Sequence, residues 1–335
     1  MKARRWTLWL AALTISGCAT MGGGEGGGKV SILVDLDPTS ADRTVIIENI
    51  TADSKGLLYM GDRVSGNILR VDPGAPRPEA VARIEPREIV GKKVNADAAG
   101  IVFSPQGDLF IASGPFSEVL RVRAADLLAL KPGRAQTFAT GAEGANGIAF
   151  DKQGNLYIAG GRSGKIYRVG PGGGSALPFA EIPGFVRKLP DGKTEQAIVA
   201  NGLAFDSKGA LYSSDTARGA IWRIAIGPDG KAGRPEKIAE NPLLEGADGI
   251  AFDRTGTLWV TANERNALVT VSSDGKVVEV AKNDSKGPLE FPSGIVFVGD
   301  TGYISNYDVP RRDNLDATGK TALDGVGASV ARVKP

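Results

Sequence analysis

The stretch NGLAFDSKGALYSSD, residues 201–215, decides the fold. A short apolar run, a turn built on Gly209 and a second run rich in aromatic and β-branched residues read together as a tight β-hairpin. Variants recur along the chain: ENITADSKGLLYMGD from Glu48, AGIVFSPQGDLFIAS from Ala99, NGIAFDKQGNLYIAG from Asn146, DGIAFDRTGTLWVTA from Asp248 and SGIVFVGDTGYISN from Ser293. With residues 201–215 these make six copies, at spacings of roughly 45 to 55 residues, the range of propeller blades. Third strands such as NILRVD, KIYRVG and AIWRIAI follow, then fourth strands such as QTFAT, EKIAE and VVEVAK. Four antiparallel strands per repeat predict an all-β, six-bladed β-propeller over residues 30–335. An open solenoid fits less well, because its repeats use longer helical or β-helical units.

The sixth copy reaches SVARVKP and the chain stops before a fourth strand. VSILVDLD, residues 30–37, has the right pattern to supply it, closing the ring and removing an exposed edge. Ahead of it, Lys2, Arg4 and Arg5 precede the apolar WTLWLAALTIS, too short to span a bilayer, and ISGC ends that run at Cys18. This resembles the lipobox of bacterial lipoproteins. It implies a signal peptide over residues 1–17, a lipidated Cys18, and a tether over residues 18–29 that contains GGGEGGG. Ala19 after the cysteine implies the outer membrane, facing the periplasm, with membrane contact only through the lipid anchor.

Composition then narrows the chemistry. The chain holds 40 basic and 38 acidic residues, one Cys and no His. A near-neutral domain without a basic, aromatic-studded face does not point to nucleic acid. Without His, Ser-His-Asp and Cys-His catalysis are excluded. The residues that open the six inner strands are Glu48, Ala99, Asn146, Asn201, Asp248 and Ser293, and in a propeller they converge on one mouth of the channel. Asn-Gly and Asp-Gly also serve as ordinary turn dipeptides. Oxygen donors at four of six equivalent positions point instead to a hard cation held by Glu48, Asn146, Asn201 and Asp248. Calcium suits such a flexible oxygen shell, and another divalent cation is compatible with it.

The repeat NGLAFD…G.LY.SD, the six blades and the order Glu, Asn, Asn, Asp around the axis resemble the senescence-marker protein, gluconolactonase and diisopropyl fluorophosphatase family. The resemblance covers residues 30–335 and implies a calcium-dependent propeller hydrolase with Glu48, Asn146, Asn201 and Asp248 on the metal. The sugar-lactonase branch of that family is similar to an Arg-x-Asn-Asp-Gly pattern where this chain has EGANG, so a substrate-binding Arg is missing there. The His residues of the fluorophosphatase side are missing too.

The expected function is hydrolysis of a small-molecule lactone or related ester. The metal polarises the carbonyl, and Asp248 serves as base or nucleophile. The ends of the second strands return to the same mouth, which places Asp62, Asp215, Asn263 and Asn306 around the ligands, with Asp215 as an alternative base. Two long stretches, residues 183–200 and 307–328, read as lids over that mouth. The competing reading is a non-catalytic periplasmic binding propeller with a structural calcium. A lyase or condensing propeller resembling the strictosidine-synthase group shares the architecture but lacks its acidic and His landmarks here.

Overall fold

The structure, a computed structural model, describes residues 29–37, 44–128, 131–189, 191–284, 287–308 and 328–334. The signal, Cys18, nearly all of the tether and most of the stretch 307–328 lie outside these residues. Six antiparallel sheets of four strands form the blades of a β-propeller, each running outward from its innermost strand. In the fourth blade the order is Leu203–Phe205, Leu211–Asp215, Ala220–Ile224 and Glu236–Glu240. The first and second sheets each gain a two-residue parallel strand at the outer edge, Gly133–Arg134 and Gly174–Ser175. In the sixth sheet Val30–Asp35 lies outermost, antiparallel to Ser329–Val333, with Val30 opposite Val333 and Asp35 opposite Ser329. No helix among the described residues is long and apolar enough to cross a membrane.

The repeated letters have separate physical jobs. The Asp that ends the inner strand anchors its hairpin: Asp206 Oδ1 accepts the backbone N–H groups of Lys208 and Ala210, both at 2.9 Å. Asp253 does the same for Thr255 and Thr257, and its second oxygen accepts Trp259 Nε1 at 2.9 Å. The carboxylate thus ties the turn to the aromatic residue of the next strand. Gly209, in the left-handed region at φ 87°, takes the position a side chain would strain.

That aromatic residue also joins neighbouring blades. Tyr59 meets Phe103 edge-on at 4.8 Å, Phe110 meets Phe150 at 5.0 Å, and Tyr157 meets Phe205 at 5.1 Å. Tyr212 meets Phe252 at 5.0 Å and Trp259 meets Phe297 at 5.6 Å. Each pair links one blade's second strand to the inner strand of the next. The hydrophobic core is correspondingly divided among the junctions. One cluster spans the first and second blades around Ile68 and Ile111, and another spans the sixth and first around Val330 and Met60. Burial of apolar area between blades, at roughly 25 cal/mol per Å², is what a chain without disulfides has to rely on.

Nearer the axis the inner strands are closer still. A Cβ added to Gly100, Gly147, Gly202 or Gly249 would come within 3.0 Å of the backbone oxygen of Asn146, Asn201, Asp248 or Ser293, one blade further on. None of these glycines has a positive φ. The Asn-Gly and Asp-Gly pairs therefore do not mark turns: the glycine is required by backbone-to-backbone packing around the channel. Gly202→Ala is expected to lower the unfolding free energy by about 1–3 kcal/mol, the usual cost of overpacking. Gly170→Ala, with open space around it and an ordinary φ, should cost under about 1 kcal/mol. Chemical denaturation of the two variants checks the difference.

Candidate functional site

The mouth where the inner strands begin carries a cavity of about 510 Å³. Glu48, Asn201 and Asp248 all line it, from the first, fourth and fifth blades. Asn146 opens the inner strand of the third blade, is half-buried, and does not belong to the lining. Ser293, at the sixth position, turns its hydroxyl to the backbone oxygen of Glu48 at 2.5 Å, and Ser305 donates to the same oxygen at 2.9 Å. These two bonds fix the start of the first inner strand against the last blade.

Asp248 is 6% exposed and Asn201 4%. Asn263 Nδ2 donates to Asp248 Oδ2 at 2.9 Å. Asn201 Nδ2 donates to Thr216 Oγ1 at 2.9 Å, and the Thr216 hydroxyl donates in turn to the Ala247 carbonyl at 2.7 Å. Ser214 Oγ bridges the Gly202 N–H and the Asp248 backbone carbonyl. The side chains of the fourth blade thereby orient the acid of the fifth.

Glu48 is paired. Arg63 Nη1 donates to Glu48 Oε2 at 2.5 Å and to Tyr307 Oη at 3.0 Å, and its Nε contacts Asp97. The guanidinium also lies over the Tyr307 ring, 5.1 Å from its centre. One cation thus serves two carboxylates. Burial pushes the Glu48 carboxyl from its usual 4.5 up to about 7, with Arg63 opposing the shift and Asp97 adding to it. Burial also holds the Asp248 carboxyl well above the usual range, and the nearby charge of Glu48 raises it further. A buried acid and a half-buried one, the charge of Glu48 raising the proton affinity of Asp248, form with the neighbouring amide oxygens a donor set that fits a hard divalent cation. Among the described residues there is no group of three or more His, Cys, Asp or Glu placed to hold a metal, so amide oxygens would have to complete the shell.

The second ring corrects the sequence reading by one residue. Asp62, Asp215 and Asn306 end their strands and do not belong to the cavity lining. Asp62 accepts the N–H groups of Ile46, Val64 and Ser65. Asp215, wholly buried, accepts Trp222 Nε1 at 3.0 Å, Arg218 N at 3.1 Å and Arg218 Nη1 at 2.7 Å. Asn306 accepts the Glu290 N–H and donates to Pro288 and Ser329. The side chains that reach the cavity are the next ones along: Arg63, Thr216 and Tyr307, with Asn263 in the same register on the fifth blade. Strand side chains alternate, so a slip of one residue exchanges a turn anchor for a cavity group. Asp215 is therefore placed as a structural carboxylate and not as a base.

The arrangement defines a six-bladed propeller whose axial mouth holds acid and amide oxygens in a cavity of small-molecule size. Residues 190–303 match the family model of the SMP-30/Gluconolactonase/LRE-like region, the family that the repeat resembles. A 6-deoxy-6-sulfogluconolactonase of Pseudomonas putida is 30% identical over 126 residues, covering 36% of this chain and 40% of the relative. The chain thus aligns with about two fifths of that relative's length. Among solved structures, a gluconolactonase of Xanthomonas campestris superposes with a TM-score of 0.61 at 16% identity, over 92% of this chain and 89% of that one. A calcium-binding protein, regucalcin, of Agrobacterium tumefaciens superposes with a TM-score of 0.57 at 16% identity, over 92% and 94% of the two chains. At that identity the structures establish the shared fold.

The raised Glu48 carboxyl has a measurable consequence. Unfolded, the group releases its proton near its ordinary 4.5; folded, it keeps the proton up to about 7. The folded state binds more protons across that window, so its stability falls as pH rises through it. Glu48→Gln should flatten this fall in the metal-free protein between about pH 5 and 8. Denaturant titrations across the pH range read it directly, and an unchanged slope would contradict the assignment.

Proposed function

We propose that the protein is a calcium-dependent hydrolase of lactones or related esters, acting at the mouth lined by Glu48, Asn201 and Asp248. The observation that carries this reading is the pair of carboxylates, Asp248 buried and Glu48 half-buried, facing one cavity, where the Arg63 guanidinium is already shared between Glu48 and Asp97. The gluconolactonase and sulfogluconolactonase names of the relatives support the lactone substrate, and the calcium-binding neighbour supports the metal. Glu48, Asn201 and Asp248 would hold the cation, with Asn146, at the equivalent position of the third blade, as the fourth ligand. When bound, the cation supplies Lewis-acid polarisation of the substrate carbonyl.

The chain's own residues do the rest. Asn263 fixes the orientation of the Asp248 carboxylate. Asp248 then takes the proton of the attacking water, or attacks the carbonyl itself. Arg63 and Tyr307 close the first-blade side of the cavity, and Phe291 adds an apolar surface. We further propose that the domain is exported and carried on lipidated Cys18 in the outer membrane, facing the periplasm, which the sequence before Lys29 supports.

The test is turnover of a panel of lactones, aryl esters and a phosphotriester, with calcium and with chelator. We expect chelator-sensitive hydrolysis of at least one lactone. Asp248→Asn should lower kcat by about 10²–10⁴, the range for loss of a general base, with the circular dichroism spectrum retained. A folded protein that turns over none of the panel would favour a binding propeller.

A further inference from the structure

The stretch 183–200 is a built wall of the cavity. Val186–Lys188 pairs antiparallel with Thr194–Gln196, and the returning strand passes through Ala197 and Ile198 into Asn201. Arg187, Ala197 and Ile198 line the cavity, and Arg162, from the turn after the third blade's second strand, joins them. Arg187 Nε donates to Glu195 Oε1 at 2.6 Å, while Arg162 lies 3.6 Å from Glu195 Oε2 and also donates to the Gln196 carbonyl. Two guanidiniums therefore share one carboxylate, which leaves one positive charge in excess. Their side chains are 53% and 56% exposed, open to a ligand in the cavity. Arg63, the other lining guanidinium, is committed to Glu48 and Asp97. Glu245 and Glu264 line the fifth-blade side, so the cavity is basic on the hairpin side and acidic across from it.

The wall is also pinned. Arg218 is held by the buried carboxylate of Asp215 at 2.7 Å, and its other terminal nitrogen donates to the Gly184 carbonyl at 2.7 Å. The same guanidinium stacks on Phe185, 5.0 Å from the ring centre. The Ala217 N–H donates to the Ile198 carbonyl at 2.9 Å. The root of the hairpin is thus fixed on both sides by the turn that follows the fourth blade's second strand.

We propose that Arg162 and Arg187 form a binding site for an anionic substituent of the substrate, a carboxylate, phosphate or sulfonate borne away from the reacting carbonyl, and that Arg218 is the positioning residue that holds this site over the cavity. The guanidinium fork matches such oxyanions in a bidentate manner. The proposal rests on the lactone reading only for the rest of the substrate.

Two open-chain sugar acids, 6-phosphogluconate and gluconate, test it by calorimetry without any need for turnover. The protein should bind the phosphorylated acid at least about tenfold more tightly, as expected for a charge-assisted contact. Arg187→Ala should remove that difference. Arg218→Ala should narrow it and also speed tryptic cleavage after Lys188 and Lys193, whereas Arg187→Ala should leave that rate unchanged. Equal binding of the two acids, or a preference that survives Arg187→Ala, would overturn the site. Unchanged proteolysis and preference in Arg218→Ala would overturn the positioning role. A retained preference in a protein that hydrolyses no lactone would reject the lactonase reading and support the anion site.

Discussion

The close approach of the inner strands around the axis is the constraint on which the remaining structure depends. Gly100, Gly147, Gly202 and Gly249 each give way to a backbone oxygen of the following blade, so the inner strands pack main chain against main chain. That packing brings the residues immediately before these glycines to the rim, where Asn201 and Asp248 enter one cavity with Glu48. The dipeptide repeated in the sequence thus combines two demands: a glycine for the ring and an oxygen donor for the mouth.

Further from the axis the demand changes from closeness to wedge-shaped filling. Aromatic side chains of the second strands, set edge-on against the phenylalanines of the next blade, widen the junction and supply apolar area. Their polar tips are not wasted, since Tyr59 and Trp259 donate to the aspartates that anchor their own hairpins. One carboxylate per hairpin therefore connects turn geometry to interblade packing.

The fold was legible because the blade repeats its turn chemistry, and the inner-strand acids were legible because a repeat leaves variable positions in view. Other parts were not. Arg63, Thr216 and Tyr307 stand one residue beyond the predicted second ring, after Asp62, Asp215 and Asn306. The acidic residues drew the reading because carboxylates suggest chemistry, yet Asp215 serves Trp222 and Arg218. Asn263 held the signal: it follows its strand's last residue, and the same register applied to the other blades leads to Arg63, Thr216 and Tyr307. Asp97, two residues ahead of the second copy of the repeat, becomes visible only through its contact with Arg63. The absent Arg of EGANG likewise gave no hint that guanidiniums would enter the cavity from Arg63, Arg162 and Arg187.

Charge at the mouth links these features to function. Burial and the charge of Glu48 raise the hold of Asp248 on its proton, and Arg63, which pairs with both Glu48 and Asp97, opposes the rise. A divalent cation would relieve the repulsion that burial creates, at the place where the ring converges its oxygen donors. Calorimetric titration of calcium into the purified protein and into its Asp248→Asn and Glu48→Gln variants tests this most directly. Saturable binding by the protein that is lost in both variants is the predicted result. An absence of binding, or an affinity unchanged by both substitutions, would contradict it.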